Sequence, residues 1–310
     1  MPVRAEFVEA LHFFSCAESE VKDGPSTSSG RTELVGDAIR AAAEQLAATS
    51  DTARLDAELL MAHALGCTRS DMLLKAMRDP APEGFAALVE RRTAQEPVAY
   101  ITGTAEFYGL ELKVTPATLI PRGDSETLIE AALGVVGPAG RALDLGTGSG
   151  ALLIAVLAHR LDWQGVGIDA SLAALAVAEG NAAALGLAAR SQWLVCDWHA
   201  AGWAAGLGTF DLILCNPPYV EADAALDPQV RDHEPHTALF AGPEGLDDYR
   251  ALLPQLVKLL APGGTAIFEI GAGQAAAVTA LAEAAGYTAD LRRDLAGRPR
   301  ALVLRCANSG

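Results

Sequence analysis

Residues 141–150 read Arg-Ala-Leu-Asp-Leu-Gly-Thr-Gly-Ser-Gly. A short apolar run ends at Leu145, and glycines then occupy alternate positions at Gly146, Gly148 and Gly150. The residues that follow are rich in alanine and leucine, which favour a helix. A strand, a glycine loop and a helix in this order form the repeating unit of α/β proteins, because glycines allow a tight turn and let a ligand approach the backbone.

Strands and helices continue to alternate after this loop. Short apolar runs predict strands at 141–145, 166–169, 192–196, 210–215 and 265–270, with 301–305 as the candidate for a last strand. Helical stretches at 150–160 and 171–185 separate the first three strands. We therefore predict an α/β, Rossmann-like fold in which helices cover both faces of a mostly parallel sheet.

The chain ahead of this sheet divides into three segments. Residues 1–33 have a linker-like composition around 24–30 and no apolar periodicity, so we expect a disordered or non-native extension. Residues 34–98 carry apolar residues at three- and four-residue steps, which predicts a small helical domain. Residues 99–119 alternate in character and predict a β-hairpin linker, which leaves 120–310 as the catalytic domain.

Helix boundaries within the helical segment are also predicted. Ser50-Asp51 is a helix start signal, and Leu65-Gly66 is a stop signal because glycine readily adopts the left-handed conformation of a helix cap. A further helix is predicted over Pro82–Ala94.

The charge and the cysteines limit the possible partners and compartment. The 310 residues carry 23 Lys and Arg against 39 Asp and Glu, a net charge of −16. A protein that grips a long nucleic-acid backbone normally needs a basic surface, so this charge argues against such a partner. The five cysteines form no Cys-x-x-Cys pair, and no apolar run is long enough to span a membrane. We expect a cytoplasmic protein with reduced thiols and no membrane contact.

Two acidic residues frame the glycine loop. A carboxylate at Asp144, before glycines spaced as Gly-x-Gly-x-Gly, suits a cationic or amino-bearing ligand better than a pyrophosphate. Asp169 ends the next strand, where a carboxylate can accept hydrogen bonds from both hydroxyls of a ribose. Together they indicate S-adenosylmethionine rather than NAD as the cofactor. The predicted cofactor-binding residues of this region are Asp144, Gly146, Thr147, Gly148, Ser149, Gly150 and Asp169.

Asp197 and Trp198 follow the third predicted strand. A polar side chain at this position can meet the amino group of adenine, and an adjacent aromatic ring can line the base. Both residues are therefore predicted to bind the cofactor, although Trp198 could equally belong to the hydrophobic core.

The string Asn216-Pro217-Pro218-Tyr219 follows the apolar run 210–215 and is predicted to be the catalytic motif. Proline has no N–H donor, so the loop presents acceptors without competing donors. The Asn216 side-chain oxygen and the Pro217 carbonyl can accept both hydrogens of a planar –NH2 group, on which Tyr219 can stack. This would localise electron density on the nitrogen as it attacks a methyl group, by orientation and electrostatics rather than by a strong base.

Two other sequence features could suggest a functional site but are interpreted as parts of the structure. His233 and His236 resemble a metal-binding pair, but Pro235 breaks the helical spacing and no third ligand is evident, so no metal site is predicted. Cys215 ends an apolar run and is predicted to be buried and inert rather than nucleophilic.

Taken together, the motifs resemble the PrmC/HemK family of release-factor glutamine methyltransferases over nearly all of residues 34–306. The resemblance rests on a helical block, a linker block, the motifs above and several later blocks. Besides those motifs, the matching residues are 54–60, 63, 65–66, 96–101, 106–109, Ile120-Pro121-Arg122, Ser125-Glu126, Glu234-Pro235, 245–247, 269–271 and 294–298. Gly123 departs from the proline that is usual in the family, and 1–33 match no block of it.

This resemblance implies a class I S-adenosylmethionine-dependent methyltransferase that acts on peptide chain release factors. The methyl group would go to the side-chain amide N5 of the glutamine in their Gly-Gly-Gln motif. By the same resemblance, Gly146–Gly150, Asp169, Trp198 and Asn216 contact the cofactor, and Asn216–Tyr219 contact the glutamine. The helical domain would help to dock the release factor.

Two alternative functions stay open on the sequence. A DNA or RNA adenine-N6 methyltransferase would offer Asn216 the same planar –NH2 group, but the charge of −16 and the lack of a basic recognition domain argue against it. A protein that binds S-adenosylmethionine without activity is disfavoured by the intact Asn216–Tyr219 loop. The sequence does not decide whether Arg122 and Glu126 touch a ligand or only support the site.

Overall fold

The N-terminal part of the protein is helical in this computed structural model, which describes residues 33–307. The helices are α1 (Val35–Leu46), α2 (Ala53–Leu65), α3 (Arg69–Asp71, continued by a π-helix over Met72–Ala76), α4 (Phe85–Thr93) and α5 (Val98–Thr102). Their apolar faces meet in one cluster of buried side chains, among them Ile39, Leu46, Leu60 and Met61. The helical character predicted for 34–98 is confirmed, whereas α3 was not predicted as a separate helix and α5 extends into the segment predicted to be the linker. The predicted extension, 1–33, lies outside the described residues apart from Glu33.

Helix α2 ends as predicted but begins later. Gly66 caps its end in the left-handed conformation, with φ at 64°. Its first residue is Ala53 rather than Ser50 or Asp51, because the Ser50 hydroxyl donates to Asp56 Oδ2 at 2.7 Å instead of capping the helix. Helix α4 likewise begins later than predicted, after a hydrogen-bonded turn.

A two-stranded antiparallel hairpin follows the helices, as the alternating sequence predicted. Strands β1 (Thr104–Phe107) and β2 (Leu110–Lys113) are joined by Tyr108 and Gly109, whose φ angles are 51° and 77°. Two residues with positive φ match the right-handed twist of a hairpin. Glycine adopts this conformation freely, whereas Tyr108 is held in it because its N–H donates to Glu126 Oε1 at 3.0 Å.

A seven-stranded sheet forms the centre of the remaining described chain. Its strands are β3 (Ala139–Leu145), β4 (Asp162–Asp169), β5 (Ser191–Val195), β6 (Phe210–Cys215), β7 (Leu260–Glu269), β8 (Tyr287–Arg293) and β9 (Pro299–Cys306). Their order is β5-β4-β3-β6-β7-β9-β8. Every pair from β5 to β7 is parallel, and β9 is antiparallel to β7 and β8. The mostly parallel sheet is confirmed. Edge strand β8 was not predicted, because its sequence is largely polar.

Helices cover both faces of this sheet, as predicted. The covering helices are α6 (Glu126–Val135), α7 (Ala151–His159), α8 (Leu172–Ala184), α10 (Asp247–Leu252) and α11 (Ala275–Ala284), whereas α9 (Pro228–His233) buries no residue. Side chains from α6, α7 and α8 pack on one face, and side chains from α10 and α11 pack on the other. Helix α7 is buried on all sides over residues 151–157, which explains why its sequence is apolar throughout. Within the described chain, no helix has the length and apolar content needed to cross a bilayer.

An ion pair in the helical cluster provides a test of its packing. Arg92 Nε lies 2.7 Å from Asp56 Oδ2, and both side chains are at most 7% exposed. Removing one partner of a buried pair leaves an uncompensated charge, so Arg92→Met is expected to lower the free energy of unfolding by about 3 kcal/mol. Urea denaturation measures this loss. The matched control is Arg40→Met, because Arg40 pairs with Asp37 at the surface and should cost less than about 1 kcal/mol. Equal losses in the two variants would contradict the prediction.

Candidate active site

The parallel strands bring their carboxyl ends to one edge of the sheet. Strand β3 pairs with β4 on one side and with β6 on the other, so the direction in which strands are added reverses between β3 and β6. Ligands of open α/β sheets bind outside the carboxyl ends of the strands at such a reversal. A cavity of about 670 Å³ lies there. Its walls come from the loops after β3, β4, β5 and β6, and from segments that precede α6 and follow α9.

Most of the predicted site residues line this cavity. Those that do so are Gly146, Thr147, Gly148, Ser149, Asp169, Asp197, Trp198, Asn216 and Pro218. Those that lie outside its lining are Asp144, Gly150, Pro217 and Tyr219. The strand-end motifs therefore converge on one cavity, although four of the predicted residues stand behind its surface.

The glycine loop is shaped by backbone conformations that few other residues adopt. Gly146, Gly148 and Gly150 all have positive φ, at 71°, 55° and 83°. The N–H groups of Gly146 and Thr147 both donate to the Ile168 carbonyl at 2.9 Å, which ties the loop to strand β4. The loop therefore presents its backbone to the cavity in a fixed shape.

Asp169 is fixed by two backbone donors. Its Oδ2 accepts from the Gly148 N–H at 2.9 Å, and its Oδ1 accepts from the Ser171 N–H at 2.8 Å. A carboxylate oxygen can accept more than one hydrogen bond, so both oxygens keep acceptor capacity at the cavity surface. This arrangement can accept a pair of neighbouring hydroxyl groups.

Asp144 differs from its sequence-based expectation. Its side chain is 1% exposed and lies beneath the loop, where Oδ2 accepts from the Thr147 hydroxyl at 2.6 Å. Its Oδ1 has no hydrogen-bond partner, and burial raises the pKa of this carboxyl to about 7. Asp144 therefore does not line the cavity, because the Thr147 hydroxyl draws it inward and the loop covers it, and its contact with a cofactor stays a prediction.

Trp198 lies between the glycine loop and helix α10. Its indole N–H donates to Asp248 Oδ1 at 2.7 Å, and a Cβ on Gly146 would come within 2.9 Å of its ring. The ring is half-buried, and it both packs against the apolar cluster on the α10 and α11 face and lines the cavity. Asp197 is exposed beside it and accepts from the His199 N–H at 2.9 Å.

Asn216 stands at the carboxyl end of β6, next to Ser125. Its Nδ2 donates to Ser125 Oγ at 3.5 Å, which leaves its Oδ1 as an acceptor for a ligand. Pro218 lines the cavity and Pro217 is buried behind it. Cys215, the last residue of β6, is fully buried as predicted, and burial raises the pKa of its thiol well above the usual range.

Tyr219 does not occupy the stacking position expected from the sequence. Its ring packs against the apolar cluster on the α10 and α11 face, and its hydroxyl donates to Glu269 Oε1 at 3.3 Å. Its carbonyl accepts from Gln274 Nε2 at 3.0 Å. The buried Glu269 carboxyl supplies a partner for the hydroxyl, and this accounts for the direction of the ring. Burial raises the pKa of Tyr219 above its ordinary value.

Arg122 and Glu126 support the surroundings of the cavity and do not line it. Arg122 pairs with Glu234, whose side chain is 1% exposed and also accepts from the Ile120 N–H at 3.3 Å. Glu126 accepts from the Tyr108 N–H in the hairpin turn. These contacts join the segment ahead of α6 to the segment after α9 and to the hairpin.

Two residues of the apparent metal motif around His233 and His236 make other contacts in the fold. Glu234 turns inward to Arg122, and His236 Nε2 lies 2.7 Å from the Arg231 carbonyl. Among residues 33–307, no group of three His, Cys, Asp or Glu side chains is placed to hold a metal ion.

Sequence reasoning did not identify Asp248, Ser125 and Glu269 as polar residues of the site. Asp248 lines the cavity, is 5% exposed and holds both Trp198 and His199. Ser125 lines the cavity beside Asn216, and Glu269 lies behind it. Each lies next to or within a block that carries the family resemblance, which was the available signal.

Comparison with known proteins gives the class of the protein. The family described as "Methyltransferase small domain" matches residues 125–232, which span the glycine loop, Asp169 and the Asn216–Tyr219 motif. Together with the mostly parallel sheet and the cavity at its switch point, this match defines a methyltransferase. The family described as "PrmC N-terminal domain" matches residues 37–103 in the helical part.

Curated relatives identify the family. The release factor glutamine methyltransferase of Bradyrhizobium diazoefficiens is 43% identical over 289 residues, which cover 88% of this chain and 96% of that protein. The protein of the same name from Cereibacter sphaeroides is 46% identical over 277 residues, covering 87% of this chain and 97% of that protein. The chain belongs to the family of release factor glutamine methyltransferases, and the resemblance found in its sequence is confirmed.

The burial of Asp144 predicts a pH-dependent stability difference. Because its pKa is raised from 3.8 to about 7, the folded state binds its proton more tightly than the unfolded state does. The stability that this proton provides is complete below pH 4 and is lost as the pH rises through 7. Asn cannot ionise, so the stability of Asp144→Asn relative to the wild type should improve between pH 5 and pH 8 by on the order of 2 kcal/mol.

Urea denaturation of the ligand-free protein at both pH values measures this change. Exposed Asp51 provides the matched control, and Asp51→Asn should show no comparable pH dependence. A stability difference between Asp144→Asn and the wild type that is the same at both pH values would contradict the account of Asp144.

Proposed function

We propose that this protein transfers a methyl group from S-adenosylmethionine to the side-chain amide N5 of the glutamine in the Gly-Gly-Gln motif of peptide chain release factors. The names of its relatives support the substrate class. The observation that carries the chemistry is the orientation of Asn216, whose Nδ2 is engaged by Ser125 so that Oδ1 can accept from a planar –NH2 group. A glutamine amide and an adenine amine both present such a group, and the net charge of −16 favours the one on a protein.

The residues around the cavity fit S-adenosylmethionine. When bound, this cofactor supplies an electrophilic methyl group. Asp169 offers two fixed acceptors for the ribose hydroxyls, and the loop 146–149 offers its backbone at close range. Trp198 and Asp197 line the part of the cavity where the base would lie.

Asn216 and Pro217 provide the chemistry on the substrate side. The Asn216 oxygen and the Pro217 carbonyl accept the two amide hydrogens of the glutamine and orient its nitrogen. This contact holds electron density on the nitrogen by electrostatics, and no strong base is required. Asp144 and Gly150 keep the loop in shape from behind, and Tyr219 holds the motif from its packed position.

The helical region, residues 34–98, is proposed to dock the release factor, with 99–119 as the linker to the catalytic domain over 120–310. A hydrogen bond within the linker ties the residues that follow the helical region to the wall of the cavity, which supports this arrangement. The Tyr100 hydroxyl donates to the Thr118 carbonyl at 2.6 Å, and Thr118 lines the cavity.

One assay tests the substrate. Labelled S-adenosylmethionine is incubated with the enzyme and a release factor, with the same factor carrying Ala in place of the Gly-Gly-Gln glutamine, or with duplex DNA. Label is expected on the unmodified factor alone. Label on DNA, or label that survives the loss of the glutamine, would contradict the proposal.

A pair of variants separates catalysis from cofactor binding. Asn216→Ala is expected to lower the rate of transfer by at least about a hundredfold with only a modest loss of S-adenosylmethionine affinity. Asp169→Ala removes two charged acceptors and should weaken that affinity by about tenfold or more.

Calorimetric titration and steady-state kinetics distinguish the two effects. Exposed Asp51 provides the control variant, and Asp51→Ala should bind the cofactor as the wild type does. Normal turnover by Asn216→Ala would overturn the role of Asn216, and unchanged affinity in Asp169→Ala would overturn the ribose contact.

A further inference from the structure

A buried carboxyl group lies behind the two ends of the Asn216–Tyr219 motif. Glu269 ends strand β7, is 1% exposed and does not line the cavity. Its Oε1 accepts from the Tyr219 hydroxyl at 3.3 Å, whereas its Oε2 has no hydrogen-bond partner. The proposed chemistry does not use Glu269, although a buried carboxyl with one unpaired oxygen lowers the stability of the folded protein.

Ser125 lies between this carboxyl and Asn216. Its hydroxyl oxygen is 3.5 Å from Asn216 Nδ2, and the same hydroxyl is close enough to Glu269 to lower the pKa of that carboxyl. Ser125 lines the cavity but is only 4% exposed. Glu269 thus contacts Tyr219 at one end of the motif and lies near Ser125, which contacts Asn216 at the other end.

When Glu269 is ionised, one arrangement of donors and acceptors pairs both of its oxygens and keeps the contact between Asn216 and Ser125. A carboxylate only accepts hydrogen bonds, so a Ser125 hydroxyl that turns towards the unpaired Oε2 donates to it, as the Tyr219 hydroxyl donates to Oε1. The Ser125 oxygen is then free only to accept, and the Asn216 –NH2 group is its donor. The oxygen of the Asn216 amide, rather than its nitrogen, is consequently left for the substrate.

We infer that Glu269 is a positioning residue that, through Ser125, fixes the amide of Asn216 with its oxygen towards the substrate –NH2 group. This inference rests on the proposed function, because only an –NH2 substrate requires an acceptor there. If the Asn216 amide were reversed, its –NH2 group would face the –NH2 group of the substrate. Both groups are donors, so no hydrogen bond would hold the substrate.

The charge state of Glu269 supplies a signature of this arrangement. Burial raises its pKa to about 7, while Ser125, Arg300 and Tyr219 lower it and Asp124 raises it. The groups that face Glu269 from the elements packed around it are Ser125 and Asp124 ahead of α6, Tyr219 and Cys215 at the end of β6, Tyr249 on α10, and Arg300 on β9. Protonated Glu269 can donate to Ser125, which releases the constraint on Asn216. The transfer rate should therefore rise as the pH increases through about 7.

Variants of Glu269 and Ser125 test this inference. Glu269→Gln keeps the shape of the side chain but can donate, and Ser125→Ala breaks the connection to Asn216. Each is expected to lower kcat for release-factor methylation by about tenfold to a hundredfold, with S-adenosylmethionine affinity and KM within about twofold of the wild type. Ser125→Thr retains the hydroxyl and should recover most of the rate. The double variant should be no slower than the slower single variant, because both substitutions interrupt one chain.

A second measurement is independent of turnover. In the ligand-free protein, the side-chain –NH2 resonance of Asn216 should titrate near pH 7 in the wild type, and this titration should be absent in Glu269→Gln. The control is Glu283→Gln on the exposed side of α11, which should change neither kcat nor the resonance.

The possible outcomes separate this inference from the proposed function. Three results would each overturn the inference. The first is an unchanged kcat in Glu269→Gln or Ser125→Ala, and the second is a double variant in which the two losses of kcat multiply. The third is an Asn216 resonance whose titration is the same in the wild type and in Glu269→Gln. A wild-type enzyme that places no label on a release factor would instead overturn the proposed function, and the ligand-free titration would still test the positioning of Asn216.

Discussion

Parallel pairing of β3 with both β4 and β6 is the constraint on which the site depends. In this register Leu145 lies beside Ile168 on one side and beside Cys215 on the other. The next residue of each strand is therefore Gly146, Asp169 or Asn216, and the three stand in one row. A shift of one residue in either pairing would turn the side chains to the opposite face of the sheet and would separate the glycine loop from the motif that faces it.

The apolar runs were sufficient to predict this row, because strands that are buried within a parallel sheet are recognised by continuous apolar sequence. Phe210–Cys215 was predicted with its observed bounds, and the ends of β3 and β4 were also predicted, whereas the predicted ends of β5, β7 and β9 differ from the observed ones by one residue. Edge strand β8 lacked such a run because only part of it is buried, and its pairing with β9 depends on the neighbouring chain rather than on its own composition.

Side-chain directions within the site were less predictable than positions along the chain. The sequence placed Asp144 and Tyr219 at the site but could not show that each turns away from the cavity. Asp144 turns towards Thr147 and Tyr219 towards Glu269, and the second of these contacts joins residues 50 positions apart in the chain. Such contacts are created by tertiary packing, and no local pattern encodes them. Asp248 was not predicted for the same reason, because its role follows from its contact with Trp198, which lies elsewhere in the chain.

Buried polar atoms without hydrogen-bond partners mark positions at which the fold loses stability. In the described part of the chain these buried atoms are Asp144 Oδ1, Glu269 Oε2, Tyr287 OH and Arg300 Nε. Asp144 supports the glycine loop, Glu269 supports the Asn216–Tyr219 motif, and Arg300 acts electrostatically on Glu269. Apolar residues would satisfy the core better at these positions, because a buried group without a partner costs free energy. The positions of Asp144, Glu269 and Arg300 around the two loops that meet at the cavity, unlike that of Tyr287 on strand β8, are consistent with polar groups retained to orient the site at the expense of stability.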